Sequence, residues 1–222
     1  NRVIVIDVSL SMAAEDVGTS RLDAAKAIAK RIIAAHTGRV GLVVFENGAD
    51  VVSPLTNDGD AVAALVDSLQ PGEVSLPGTD AAAGLGAALK LLDADPRQRG
   101  DVVVISDGED QVGRAADAVA KLRARGVAVS TIAVGTTRGA TIPKSDGGGP
   151  LRDDTGQIVT TAAHPDALEV IAQQTGGRFF DNPFGEHALD ALAASEGGAL
   201  RKKNVEIPID RYQWPLGAAF AL

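Results

Sequence analysis

Four stretches of this chain are apolar at nearly every position: "VIVI" at 3–6, "RVGLVVF" at 39–45, "VVVIS" within "DVVVISDGED" at 101–110, and "GVAVSTIAVG" at 126–135. A strand with one wet face alternates apolar and polar residues, so a strand apolar throughout must be covered on both sides. Between these runs, apolar residues recur every three or four positions. That spacing predicts helices over Arg21 to Ala35, Asp58 to Leu69, Ala81 to Leu92, Gly113 to Arg125 and Asp166 to Thr175. Strands alternating with helices imply right-handed crossovers. The expected fold is α/β: a doubly wound, mostly parallel sheet with helices on both faces. Apolar residues make up 45% of the chain but aromatics only 3%, so Val, Ile, Leu and Ala must build the core.

Local signals refine this plan. Thr19 or Ser20 is placed to cap the first helix. "ADVVSPLT" (49–56) follows Asn47-Gly48, a hairpin turn signal, and predicts a short antiparallel edge strand ended by Pro54. In the second helix Val62, Leu65, Val66 and Leu69 form the inward stripe. Residues 138–161 read as a Gly/Pro/Asp-rich insertion whose ends, 140–142 and 158–160, pair as a small hairpin. Gly176-Gly177 precedes a last strand, "RFF", and a final helix is expected near 185–196. One domain is expected over 1–197, then a linker over 198–211.

The chain opens inside a strand without methionine, so it reads as a piece of a longer protein. "RYQWPLGAAFAL" carries Tyr212 and Trp214 before an apolar run. Nine helical residues from Trp214 span about 13 Å against a hydrocarbon core of roughly 30 Å. Residues 212–222 are therefore read as the start of a truncated transmembrane helix with an aromatic belt.

A net charge of −8 argues against nucleic acid as a partner, which would need a basic face. With no cysteine, disulfides, thiolate metal sites and cysteine nucleophiles are excluded.

Two of the buried strands run into acids, at Asp7 and Asp107. In a doubly wound order these strands are neighbours at the topological switch point, where ligands bind. Neighbouring strands lie about 4.8 Å apart. Two carboxylates about 6 Å apart repel by roughly 3 kcal/mol at an effective dielectric of 20. Either one is protonated or a cation lies between them. Ser9 and Ser11 supply neutral oxygens on the same loop, and "GTD" (78–80) could add the Thr79 hydroxyl. Carboxylates, hydroxyls and water form a hard oxygen set suited to Mg²⁺. An open position on such an ion could take a carboxylate from another molecule.

"DVSLS" matches the Asp-x-Ser-x-Ser motif of von Willebrand factor A domains, and Thr79 and Asp107 match the other two elements of their metal-ion-dependent adhesion site. The resemblance runs over roughly residues 2 to 197. It implies a Rossmann-like sheet with Mg²⁺ or Mn²⁺ at its top. Ser9, Ser11 and often Thr79 would touch the metal directly, Asp7 and Asp107 would act through water, and a partner's acidic side chain would complete the shell. "PLTNDGDAV", "VGTTRGATIP", "DDTGQIV" and "TGGRFF" further resemble bacterial membrane-anchored proteins of the aerotolerance (Bat) type. That resemblance implies an extracytoplasmic domain working with a MoxR-type AAA+ ATPase in envelope stress or complex maturation. Arg201, Lys202 and Lys203 instead suggest a cytoplasmic flank, a cluster diluted by Glu206 and Asp210.

Other readings compete. Asp7, Ser9 and Ser11 could form a capping turn in a scaffold without metal. A phosphatase of the haloacid-dehalogenase type also places a nucleophilic Asp after a strand. Those enzymes carry a second Asp two positions on, where this chain has Ser9, which cannot shuttle a proton at neutral pH. No motif ties His36, His164 or His187 to a serine; His36 is expected to end a helix as a favourable cation, and the other two to sit near helix starts. Glu109 and Asp110 either tune the site's charge or start the next helix, and Asp80 either supports Thr79 or caps a helix. Asp146, Asp153 and Asp154 lack the closing Glu of an EF-hand and read as part of a surface hairpin.

Overall fold

β1 (Arg2–Asp7) lies inside the sheet, paired in parallel with β2 (Val40–Phe45) on one side and β4 (Asp101–Ser106) on the other. The structure, a computed structural model, describes residues 1–72, 79–94, 99–109, 112–144 and 147–183. β3 (Ala49–Thr56) pairs antiparallel with β2, while β5 (Ala128–Ala133) and β8 (Phe179–Asp181) extend the parallel side. The order is β3-β2-β1-β4-β5-β8. This is the expected Rossmann-like sheet, mostly parallel with one antiparallel edge.

The uniform apolar runs are explained by burial on both faces. Ile4 and Ile6 of β1 pack on one side with α1 (Arg21–Ala35) and α2 (Gly59–Ser68). Val3 and Val5 pack on the other with α3 (Ala81–Asp93), α4 (Val112–Ala124) and α5 (Pro165–Thr175). Each such side chain contributes about 1.5–3 kcal/mol by leaving water. With few aromatics to fill space, the layers pack close. A Cβ added at Gly84 of α3 would lie 3.0 Å from both Phe45 Cδ1 and Val5 Cγ1.

Caps set the helix ends. Ser20 caps α1, its side chain accepting from the Asp23 amide. Asp58 caps α2 and Asp80 caps α3 in the same way.

Several expectations need correction. Pro54 does not end β3: pairing runs on to Thr56, which faces Val40 after an irregular register. On an edge strand with Pro54 exposed, its missing N–H removes no ladder bond. Leu65 is 37% exposed, so the inward stripe of α2 is Val62, Val66 and Leu69. The insertion does form a hairpin, but β6 (Ala140–Thr141) pairs with β7 (Thr160–Thr161), one residue later on the second arm than expected. The chain doubles back within it: Leu151 donates to Ile142, and Val159 donates to Leu151. His36 ends α1, but burial, then the nearby Arg2 charge, lowers its pKa and favours the neutral ring over a dipole-stabilising cation.

The final helix near 185–196, the linker and the segment 212–222 lie outside the described residues. Among those described, no helix is long and apolar enough to cross a membrane.

Candidate metal centre

Strand pairing puts Asp7 and Asp107 at the same edge of the sheet. Ile6 faces Ile105, so Asp7 stands level with Ser106, and Asp107 is one residue beyond. The two acids are therefore staggered, and a hydroxyl fills the direct position: Ser106 Oγ donates to Asp7 Oδ2 at 2.6 Å. The other oxygen, Asp7 Oδ1, accepts from the Ser9 amide at 2.9 Å. That bond turns the chain into a short 3-10 segment, Leu10–Ala13, and sets Ser9 Oγ 2.9 Å from Ser11 Oγ. Asp7, Ser9, Ser11 and Asp107 are all buried, both aspartates completely. Leu10, between the two serines, is 43% exposed.

The site is electrostatically loaded. Burial pushes the Asp7 pKa up to about 7, with Asp107 adding to the rise and hydrogen bonds from Ser106 and Ser9 opposing it. Burial also raises Asp107, against hydrogen bonds from Ser11 and the Glu109 amide and the charge of Arg21. Arg21 is the unforeseen member. It is the first residue of α1 and wholly buried. Its Nη1 donates to Asp107 Oδ2 at 2.8 Å and to Thr161 Oγ1 at 3.0 Å. Its Nε and Nη2 form a fork on Asp16, at 3.0 and 2.8 Å. Burial alone would raise Asp16, but hydrogen bonds from Arg21 and Thr136 outweigh it and hold that carboxyl well below the usual range.

Thr79 stands on the adjoining loop. It is half-buried and directly precedes Asp80, whose amide donates to Glu46 O at 2.6 Å. Asp80 resolves as the helix cap. Glu46 follows β2 and is itself buried at this edge. Sequence reasoning passed over it, although an acid following "VVF" is the same signal that marked Asp7.

Glu109 does not begin α4; its Oε1 accepts from the Ala162 amide at 3.1 Å, tying the Asp107 loop to the end of the insertion. Asp153 organises its own turn by accepting from Thr155 and Gln157. His164 is exposed at the start of α5. Asp110, Asp146 and His187 lie outside the described residues.

Among the described residues, no cluster of three or more His, Cys, Asp or Glu is arranged to hold a metal. A cation here would depend on hydroxyl oxygens as much as on carboxylates. The paired Ser9 and Ser11 hydroxyls and two incompletely neutralised acids fit a small hard divalent ion.

Residues 2–109 match the family model described as von Willebrand factor type A domain. A "UPF0353 protein" of Nocardia farcinica is 33% identical over 196 residues, covering 80% of this chain and 56% of that protein. The chain thus spans little more than half of that relative's length. Among solved structures, the conserved hypothetical protein BatB of Bacteroides thetaiotaomicron has a TM-score of 0.81 at 28% identity, covering 86% of this chain and 94% of that one. An aerotolerance-related membrane protein of Bacteroides fragilis has 0.78 at 27%, covering 86% and 93%. A mussel byssus matrix protein, described with zinc in its MIDAS motif, shares the fold at 0.61 and 18% identity, covering 86% and 44%.

Proposed function

Because the chain carries a von Willebrand factor type A domain, we propose that it binds Mg²⁺ or Mn²⁺ and uses the ion to hold an acidic side chain of a protein partner. Asp7, Ser9, Ser11, Thr79 and Asp107 are the metal-site residues of this proposal, with the serine hydroxyls as direct ligands. The observation that carries it is the charge imbalance at the buried edge. Asp7 and Asp107, both wholly buried, share one buried cation when ionised, and that cation, Arg21, is also forked on the half-buried Asp16. With Arg21 already shared with Asp16, the ionised pair keeps a negative surplus that a divalent cation would offset. Such a surplus in a dry site requires protons or a metal. The zinc-bearing byssus protein supports the same reading for the fold.

Binding rather than catalysis is supported by what surrounds the acids. Ser9, two positions after Asp7, lies buried against Ser11 Oγ and supplies no acid/base group for phosphoryl transfer. Beside the site, a groove of about 480 Å³ runs between Leu10 and the insertion residues Ile142 and Leu151. An exposed leucine between two ligand serines gives a partner apolar contact next to the ion. The likeness to an aerotolerance-related membrane protein supports a membrane-anchored setting. On that reading 212–222 begins a spanning helix, the domain is extracytoplasmic, and a MoxR-type AAA+ ATPase is a partner in envelope stress or complex maturation.

Calorimetric titration of Mg²⁺ and Mn²⁺ tests the core of this reading. One-to-one saturable binding, lost in Ser9→Ala/Ser11→Ala, is the expected result. Failure of both ions to bind would overturn it and leave a metal-free scaffold.

A further inference from the structure

The hairpin 140–161 and the residues just after it are fastened to the Asp107 loop by three contacts. Arg21 Nη1 is shared between Asp107 Oδ2 and Thr161 Oγ1. Glu109 Oε1 accepts from the Ala162 amide. The His164 amide donates to Asp107 O at 2.7 Å. Arg21 itself has no room to move as a whole. A Cβ on Gly135, a position at φ +124°, would sit 2.6 Å from its Nε. The Asp16 fork is locked in turn by Thr136, whose amide and hydroxyl both donate to Asp16 Oδ2. Nη1 carries two hydrogens, one on Asp107 Oδ2 and one on Thr161 Oγ1, so a single planar group spans the acid and the hairpin.

We propose that Arg21 is a positioning residue that couples occupation of the cation site to the hairpin 140–161 through its shared Nη1. This rests on the cation reading above. When Asp107 shares its charge with a cation, it draws less on the guanidinium, and the other Nη1 hydrogen then binds Thr161 Oγ1 more strongly. The hairpin then tightens. Ile142 and Leu151, which line the groove beside Leu10, belong to that hairpin, so the partner-facing wall is firm when the ion is present. The coupling lets the domain present its docking surface in the metal-loaded form.

Hydrogen–deuterium exchange on the full chain, with and without saturating MgCl₂ or MnCl₂ and with calorimetry on the same samples, tests it. In the wild type the cation slows exchange of the cross-hairpin amides Ile142, Leu151 and Val159 by up to about fivefold, the ceiling that one whole hydrogen bond sets for strengthening an existing one. Thr161→Val keeps cation affinity within about threefold and loses the slowing. Thr161→Ser keeps the acceptor hydroxyl, so it restores both the ion binding and the slowing. Cation binding with unchanged hairpin exchange in the wild type would overturn the coupling, as would full slowing in Thr161→Val. Absence of any binding heat in the wild type overturns the cation reading, and the coupling with it.

Discussion

Arg21 Nη1 and Asp107 Oδ2 are separated by 86 positions in sequence and 2.8 Å in space, and both side chains are wholly buried. The guanidinium neutralises part of a carboxylate that water cannot reach. Removing one member of such a pair leaves a buried charge without compensation, which costs about 3–5 kcal/mol. Arg21→Met is therefore expected to lower unfolding free energy by about that much in urea. Arg21→Met/Asp107→Asn should be less destabilised than the sum of the two single variants, because the second change removes the charge that the first abandons. Strict additivity would show that the pair does not interact in the way its geometry indicates.

Gly84→Ala sets two effects against each other. Alanine in a helix interior gains about 1 kcal/mol over glycine. The added methyl would press on Phe45 Cδ1 and Val5 Cγ1 at 3.0 Å, where α3 packs on β1 and β2. Overpacking of this kind costs about 1–3 kcal/mol. The net expectation is a loss of stability, read as a lower urea midpoint at constant slope. A stabilised variant would mean that β1 and α3 separate more easily than their packing suggests.

Ser106 is the hinge of the polar edge, donating to Asp7 and accepting from the Gly108 amide at 2.9 Å. Ser106→Ala strips a donor from a buried acid and an acceptor from a buried amide. A loss of about 1–3 kcal/mol follows from the unmade bonds. It also removes a hydrogen bond that favours the charged form of Asp7, so the carboxyl should titrate higher than in the wild type. Carbon-detected NMR of the Asp7 carboxyl checks both the direction and the assignment.

The sheet was legible because burial on two faces writes an unmistakable pattern into β1, β2 and β4. The acids at their ends were legible for the same reason: nothing apolar would be lost by replacing Asp7 or Asp107, so their presence needs a chemical cause. Arg21 was not legible. In sequence it is one polar residue at a helix start, and its role arises only when contacts at positions 16, 107 and 161 converge on it. Glu46 escaped notice because its strand was read for its apolar run and not for what followed. Pro54 misled because a proline usually ends a strand, and only edge position makes it harmless.

Acidity and cation should compete at Asp7. Folding raises the pKa of this carboxyl from its ordinary value to about 7, so the folded state binds the proton more tightly than the unfolded chain does. That contribution to stability is complete below the ordinary carboxylate range and is lost as pH rises through about 7. Asp16 acts in the opposite sense: its lowered pKa stabilises the fold at neutral pH and fails only in acid. His36, with its lowered pKa, pulls the other way in the same range, so the Asp7 effect is read against Asp7→Asn: without divalent ions the wild type should lose melting temperature relative to that variant from pH 5 to pH 8. A bound cation replaces the proton, so its apparent affinity should rise with pH, by up to about tenfold per unit below the Asp7 pKa. Thermal melts across this range, with EDTA and with Mg²⁺, measure both effects. A wild type that gains melting temperature relative to Asp7→Asn from pH 5 to pH 8 in EDTA would mean that Asp7 is ionised in the empty site, and that Arg21 alone balances the buried acids.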